Sequence, residues 1–117
     1  GGGGNPGGGG GGATSCRVTY TPDSWPGGFT ANVTITNTGS STIDGWTLTY
    51  TLPAGQTINQ TWNATITQNG SQVTARNVSY NGTLAPGAST TFGYLGSYTG
   101  SYASPTSFSL NGTTCSS

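Results

Sequence analysis

The sequence has no histidine, no lysine and no glutamate, and its entire charge is two arginines and two aspartates in 117 residues. Each absence excludes a class of function. Phosphate recognition needs clustered Lys and Arg, so nucleic acid is excluded as a partner. The same lack argues against anionic membrane surfaces. Without His or Glu there is no catalytic triad, no histidine base and no copper or zinc site. Acid–base hydrolysis of a glycoside needs two carboxylates at a suitable separation, and only Asp23 and Asp44 exist. Asp44 precedes Gly45 and reads as a turn residue, while Asp23 reads first as a turn cap and second as a ligand contact. Calcium would need an oxygen cluster with carboxylates, and none is apparent. The expectation is a non-catalytic chain with no metal and no cofactor.

Long apolar runs are also missing: none approaches the roughly 18 residues of a spanning helix. No secretory leader pattern is visible, which reads as a mature segment cut from a longer protein. Cysteine is scarce, with Cys16 and Cys115 bracketing nearly the whole remainder of the chain. There is no CxxC pair, so a zinc or redox site is disfavoured and one structural bridge between the first and last strands is expected. A disulfide implies an oxidising, extracellular compartment, hence a secreted protein.

What is present is Thr, Ser, Asn and Gly. Residues 1–14 open with GGGGNPGGGGGG, which offers nothing to pack and reads as a flexible linker, its first 12 residues spanning on the order of 17–21 Å. The domain is then 15–117. A linker in front and a cysteine close to the end predict a module at the C-terminus of a larger protein, with its partner domain tethered N-terminally.

From Cys16 onward the hydrophobic period is two. In FTANVTIT, Phe29, Ala31, Val33 and Ile35 share one face and Thr30, Asn32, Thr34 and Thr36 the other. In WTLTYTL, Trp46, Leu48, Tyr50 and Leu52 alternate with threonines. Such segments are half-buried antiparallel strands. Further strands are expected over 16–21, 61–68, 72–77, 90–97 and 106–111. Turn chemistry falls between them, at 37–41, 44–45, 53–55, 69–70, 81–82 and 86–87. No window has helical periodicity. Seven or more short strands at this spacing predict an all-β antiparallel fold, either a sandwich of jelly-roll or immunoglobulin-like type or a barrel.

The aromatics then divide. Trp46, Phe29, Phe92, Tyr94 and Phe108 lie in phase with apolar neighbours and read as core. Arg17 and Arg76 read as solvated charges on strands. Trp25 sits in DSWPGGF, which is turn chemistry, the worst place to bury an indole. Tyr80 precedes Asn81-Gly82, a turn signal. Trp62 is flanked by polar residues, yet Ala64 and Ile66 share its parity; a bulge or a strand end is needed to expose it. Exposed aromatics among hydroxyls and amides suit a neutral polar ligand. A pyranose ring has an apolar C–H face that a flat ring can cover, and Asn or Gln can bond its hydroxyl rim. Each aromatic buries about 150–250 Å² at little entropic cost.

The segments SWPGGFTANVTITNTGS, IDGWTLTYTLPAGQTI, TWNATITQNGSQVTARN, SYNGTLAPGASTTFGYLGSYTG and PTSFSLNGTTC carry a resemblance. In order and spacing they resemble the family 2 carbohydrate-binding modules of secreted bacterial polysaccharide-degrading enzymes, specifically the cellulose-binding 2a branch. The resemblance covers residues 15–115. It implies a β-sandwich bearing a flat strip of three aromatics, at positions matching Trp25, Trp62 and Tyr80. Trp46 matches the family's buried tryptophan, and Asn32 and Gln60 match polar residues beside the strip. Glycine three residues after the first platform, here Gly28, lets that ring lie flat, whereas Arg there turns it to suit xylan. Two departures stand out. Tyr80 replaces the usual Trp, and Leu95 stands where the branch often has Asn, which widens the tolerated surfaces toward chitin. The implied function is non-catalytic binding of crystalline cellulose, delivering a tethered enzyme to insoluble polysaccharide.

Other readings compete. The same fold could bind chitin or xylan. The outward threonines of TIT and TLTYT would suit an ice-binding face, and the sandwich alone would suit an adhesion domain with a protein partner. A monomer is expected. Seven N-x-Ser/Thr sequons occur, at Asn32, Asn59, Asn63, Asn69, Asn77, Asn81 and Asn111; glycans at Asn63 or Asn81 would crowd the aromatic face.

Overall fold

The computed structural model describes residues 15–116. The expected linker over 1–14 lies outside the described residues. Eleven strands run in chain order: β1 Cys16–Trp25, β2 Gly28–Asn37, β3 Ile43–Asp44, β4 Thr47–Thr51, β5 Gln56–Trp62, β6 Thr65–Asn69, β7 Gln72–Arg76, β8 Thr83–Leu84, β9 Ser89–Tyr98, β10 Phe108–Leu110 and β11 Thr113–Thr114. One sheet has the order β1-β2-β9-β5 and the other β11-β10-β4-β7-β6; β3 and β8 pair as a small separate ladder. All ladders between strands are antiparallel. No helix occurs among the described residues.

The period-two pattern does what it predicts. Phe29, Ala31, Val33 and Ile35 of β2 are fully buried, as are Leu48 of β4 and Phe92 and Tyr94 of β9. The inner faces of both sheets meet in one core, where Trp46 stacks on Phe92 with centroids 5.6 Å apart. The buried tyrosine hydroxyls of this core are paired, as burial requires, whereas Gln56 donates through Nε2 to the Ala103 carbonyl and leaves its Oε1 without a partner among the described residues. The Tyr50 hydroxyl donates to Tyr94 (2.8 Å) and Tyr94 in turn to Tyr20 (3.3 Å), whose oxygen lies 2.8 Å from that of Tyr102. Burial, above all, pushes all three phenols of Tyr20, Tyr50 and Tyr94 upward from their ordinary pKa; neighbouring tyrosines add to the rise for Tyr20, while a hydrogen bond with one tyrosine partner partly opposes it for each of Tyr50 and Tyr94.

The disulfide joins Cys16 to Cys115, with Cα atoms 4.8 Å apart across 99 residues of sequence. Beside it Ser116 bridges Arg17 in parallel, with its amide donating to the Cys16 carbonyl and its carbonyl accepting from Val18. The last residues therefore lie along the first strand. Closing so long a loop contributes about 4.7 kcal/mol in the chain-entropy account.

Three sequence expectations change. Asp44, expected in a turn, is a strand residue paired with Thr83, and the bend falls on Gly45 at φ 85°. The stretch 23–25 is strand rather than turn: β1 runs to Trp25, and only Pro26-Gly27 forms the bend, with Gly27 at φ 82°. Proline followed by a left-handed glycine is type II turn chemistry. Asp23 is accordingly a strand residue paired with Thr30. The single strand expected over 61–68 is two strands belonging to different sheets, β5 and β6. Asn63, at φ 63°, makes the break; asparagine tolerates this left-handed conformation better than most residues. Trp62 thus ends a strand, and its parity with Ala64 does not carry it inward.

Candidate functional site

In the four-stranded sheet β2 and β9 are central and β1 and β5 are edges. Because Phe29, Ala31 and Val33 face the core, Gly28, Thr30 and Asn32 face outward. The register then fixes three rows across the outer face. The first holds Trp25, Gly28, Ser97 and Thr57; the second Asp23, Thr30, Leu95 and Gln60; the third Thr21, Asn32, Gly93 and Trp62. A register shift between Ile58 and Gln60 brings Gln60 and Trp62 onto this face.

Both edge tryptophans lean inward over a glycine on the neighbouring strand. Trp25 pairs directly with Gly28, and a Cβ placed on Gly28 would lie 2.5 Å from the indole Nε1. Trp62 pairs directly with Gly93, and a Cβ there would lie 2.4 Å from its Nε1. Outward-facing glycines are ordinarily bare to water, yet these two are buried, covered by the indoles. The rings keep much of their surface open, 44% for Trp25 and 39% for Trp62. Four residues of β2 separate the two rows, roughly 13 Å along the strand direction.

Tyr80, 73% exposed, is the third large exposed aromatic among the described residues. It stands on a turn rather than a strand, and its hydroxyl donates 2.7 Å to Asn63 Oδ1, just past Trp62. Asn81 Nδ2 donates to the Asn63 carbonyl, while the Asn81 carbonyl accepts from the buried Trp46 indole. β5 runs from the Trp25 row toward the Trp62 row and then into Asn63. Tyr80 is therefore anchored on the side of Trp62 remote from Trp25.

The structure brings Trp25, Trp62, Asn32, Gln60 and Gly28 to one sheet face, with Tyr80 anchored where that face ends. Leu95 lies half-buried between Gln60 and Thr30 in the middle row. Sequence reading missed Gly93, and it treated Asn63 and Asn81 as glycan acceptors rather than as the fixings of Tyr80. Gly93 left no local signal, because its partner is 31 residues away on another strand. Asn63 left a faint one, an Asn at the point where a strand pattern would have buried an indole among polar neighbours. The face carries two charges, both on the edge strand β1: Asp23 in the middle row and Arg17 at the far end. Among the described residues no three His, Cys, Asp or Glu side chains gather as a metal site would require.

A nearly uncharged sheet face with open rings and amide side chains has the features of a module that holds a neutral surface. The comparisons agree. Residues 16–115 match the family model described as cellulose binding domain. The chain is 55% identical over 101 residues to Exoglucanase B of Cellulomonas fimi, covering 86% of this chain and 9% of that protein. It is 56% identical to Endoglucanase CelA of Streptomyces lividans, covering 89% of this chain and 23% of the relative. The chain thus spans less than a quarter of the length of either. Among solved structures, the chitin-binding domain of Chi18aC from Streptomyces coelicolor superposes with a TM-score of 0.71 at 43% identity, over 88% of this chain and 96% of that one. The cellulose-binding family 2 domain of ScLPMO10C gives 0.64 at 31% identity, over 80% and 93%. The chain belongs to the cellulose binding domain family, and is a non-catalytic binding module.

Proposed function

We propose that the outer face of the β1-β2-β9-β5 sheet binds crystalline cellulose by stacking Trp25, Trp62 and Tyr80 on successive sugar rings, with Asn32 and Gln60 bonding the hydroxyl rim. The observation that carries this reading is the pair of indoles laid over Gly28 and Gly93 on one face, with a third open ring beyond them. Rings held against a sheet meet a flat polysaccharide surface together and with little left to order. By analogy with base stacking, each contributes roughly 1–3 kcal/mol. Three in register contribute roughly 3–9 kcal/mol before ordering costs, so micromolar binding, about −8 kcal/mol, draws on the hydroxyl-rim contacts as well. Near-neutrality supports an uncharged ligand.

Chitin is the second ligand this face supports. Leu95 places an apolar side chain in the middle row, where an acetamido methyl can rest. The similarity to a chitin-binding domain at 43% identity favours the same extension.

The module occupies residues 15–117 and the linker 1–14, which ties it to an N-terminal catalytic domain of a secreted polysaccharide-degrading enzyme. It works as a monomer. Its effect is on concentration: a tethered enzyme held at an insoluble surface meets its substrate intramolecularly.

Depletion isotherms on crystalline cellulose, insoluble xylan and chitin test the face, using the wild type and Trp25→Ala, Trp62→Ala and Tyr80→Ala. Loss of cellulose binding in all three, with melting preserved, is expected. Wild-type binding in the variants would reduce these rings to surface decoration and remove the proposed site.

A further inference from the structure

Gly93 poses a separate problem. It occupies the middle of β9, an inner strand, where glycine weakens pairing and packs nothing. Its backbone is not in the left-handed region, unlike that of Gly27 or Gly45. The strand conformation therefore does not demand glycine. The surroundings do. The three atoms nearest to a Cβ built on Gly93 all belong to the Trp62 indole: Nε1 at 2.4 Å, Cε2 and Cζ2 at 2.6 Å each. Contacts that short cannot exist, so any side chain at 93 must lift the ring.

The contrast with Gly96, three residues on, shows that this is not ordinary packing. A Cβ on Gly96 would strike the Thr57 backbone carbonyl at 2.5 Å and the buried Phe29 ring at 2.6 Å. That glycine serves the interior. Gly93 faces outward, and what it admits is an exposed ring that is free to rise into solvent.

We infer that Gly93 is a specificity-determining position that levels Trp62, and so selects flat polysaccharide surfaces over twisted single chains. The inference rests on reading Trp25, Trp62 and Tyr80 as the binding face. A rigid planar ligand touches all platforms only if their free faces share a plane; one raised ring holds the surface away from the others. A single flexible chain can twist to follow a tilted ring. Gly93 acts through Trp62 and is a positioning residue. It stands to Trp62 as Gly28 stands to Trp25, but across β5 and β9 instead of β1 and β2.

The test compares the wild type, Gly93→Ala, Trp62→Ala and the double variant by depletion on crystalline cellulose and by titration with soluble cellohexaose. Gly93→Ala is expected to lose about tenfold or more on the crystal while its cellohexaose affinity moves by less than about twofold. In the Trp62→Ala background the same change is expected to alter crystal binding by less than about twofold, since non-additivity marks residues acting through one contact. The Trp62 indole N–H resonance should shift in Gly93→Ala, with that of Trp46 unmoved. Wild-type crystal binding by Gly93→Ala would overturn the inference. So would an equal loss in the Trp62→Ala background, or failure of Gly93→Ala to fold, each of which would make Gly93 a packing residue. Wild-type binding by Trp62→Ala would instead remove the binding face, and the levelling role with it.

Discussion

The Tyr80 hydroxyl donates a hydrogen bond to Asn63 Oδ1 at 2.7 Å, so the most exposed ring of the face is fixed by the residue that turns β5 into the other sheet. The phenol's donor is spent on the protein. Toward a sugar, its oxygen retains only acceptor capacity. A ring on a mobile turn would have to be ordered by the ligand, and this bond does that ordering beforehand.

Tyr80→Phe keeps the ring and removes the tie. Binding to crystalline cellulose should weaken by a factor of about 2–10, the equivalent of one net hydrogen bond, and by less than in Tyr80→Ala. Melting temperature should hardly change, because the group is exposed. Isotherms and thermal melts on the same preparations check both statements.

Asn63 has two duties that can be separated. Gly accepts φ 63° without strain but has no amide; Ala has neither the amide nor the tolerance. Asn63→Gly should weaken binding as Tyr80→Phe does while leaving stability close to wild type. Asn63→Ala should show the same binding defect and melt lower, with a cost on the order of 1–3 kcal/mol. Equal stability of the two variants would show that the backbone at 63 is unstrained. In a glycosylating host, modification at Asn63 falls on Nδ2 and leaves the Oδ1 acceptor of Tyr80 intact, but it sets a glycan beside the ring and should weaken binding by crowding.

Stability should be level across the neutral range and fall in alkali. No histidine titrates between pH 5 and 8. Burial holds the protons of Tyr20, Tyr50 and Tyr94 more tightly in the folded chain than in the unfolded one. Above about pH 10 the unfolded tyrosines ionise first, so the folded state binds more protons and loses stability as pH rises. Denaturant melts from pH 6 to 11 should be flat and then drop. Absorbance titration at the phenolate band should show a group of tyrosines that ionise only as the protein unfolds.

Replacing both Cys16 and Cys115 by Ser removes the loop closure and should cost about 2–5 kcal/mol. Cys16 begins β1, whereas Trp25 ends it. Binding measured well below the lowered melting temperature should therefore be unchanged. Trp46→Ala offers the converse, since its indole stacks on Phe92 and bonds the Asn81 carbonyl. A loss of about 3–5 kcal/mol is expected from the lost burial and the cavity together, and cellulose binding should fall with it because Asn81 supports Asn63.

Much of this was legible because β2 and β4 each alternate without interruption, and a period of two needs no partner to be read. The sequence also separates Trp46 from Tyr80 by the company each keeps. It misreads 23–25 because Asp, Ser and Pro are turn residues by propensity, whereas pairing with β2 holds Asp23 and Ser24 extended. It merges β5 with β6 because a single left-handed Asn63 reverses which face the next residues see. Gly93 was illegible in principle: its meaning is a ring contributed by another strand, and only register brings the two together.

The ten residues of β1 pair with β2 from Cys16 to Trp25, and this has a mechanical consequence. A pull delivered at Cys16 and resisted at Trp62 on the opposite edge strand must pass through the β1-β2 ladder, which runs roughly 30 Å along the pull. Antiparallel hydrogen bonds lie across that direction, so they are strained together in shear and cannot be opened one at a time like a zip. The disulfide clamps the same end to the last residues of the chain, so tension entering there is shared with the second sheet. A domain gripping a crystal while an enzyme tugs on its leash would be expected to slip from the surface before it unravels.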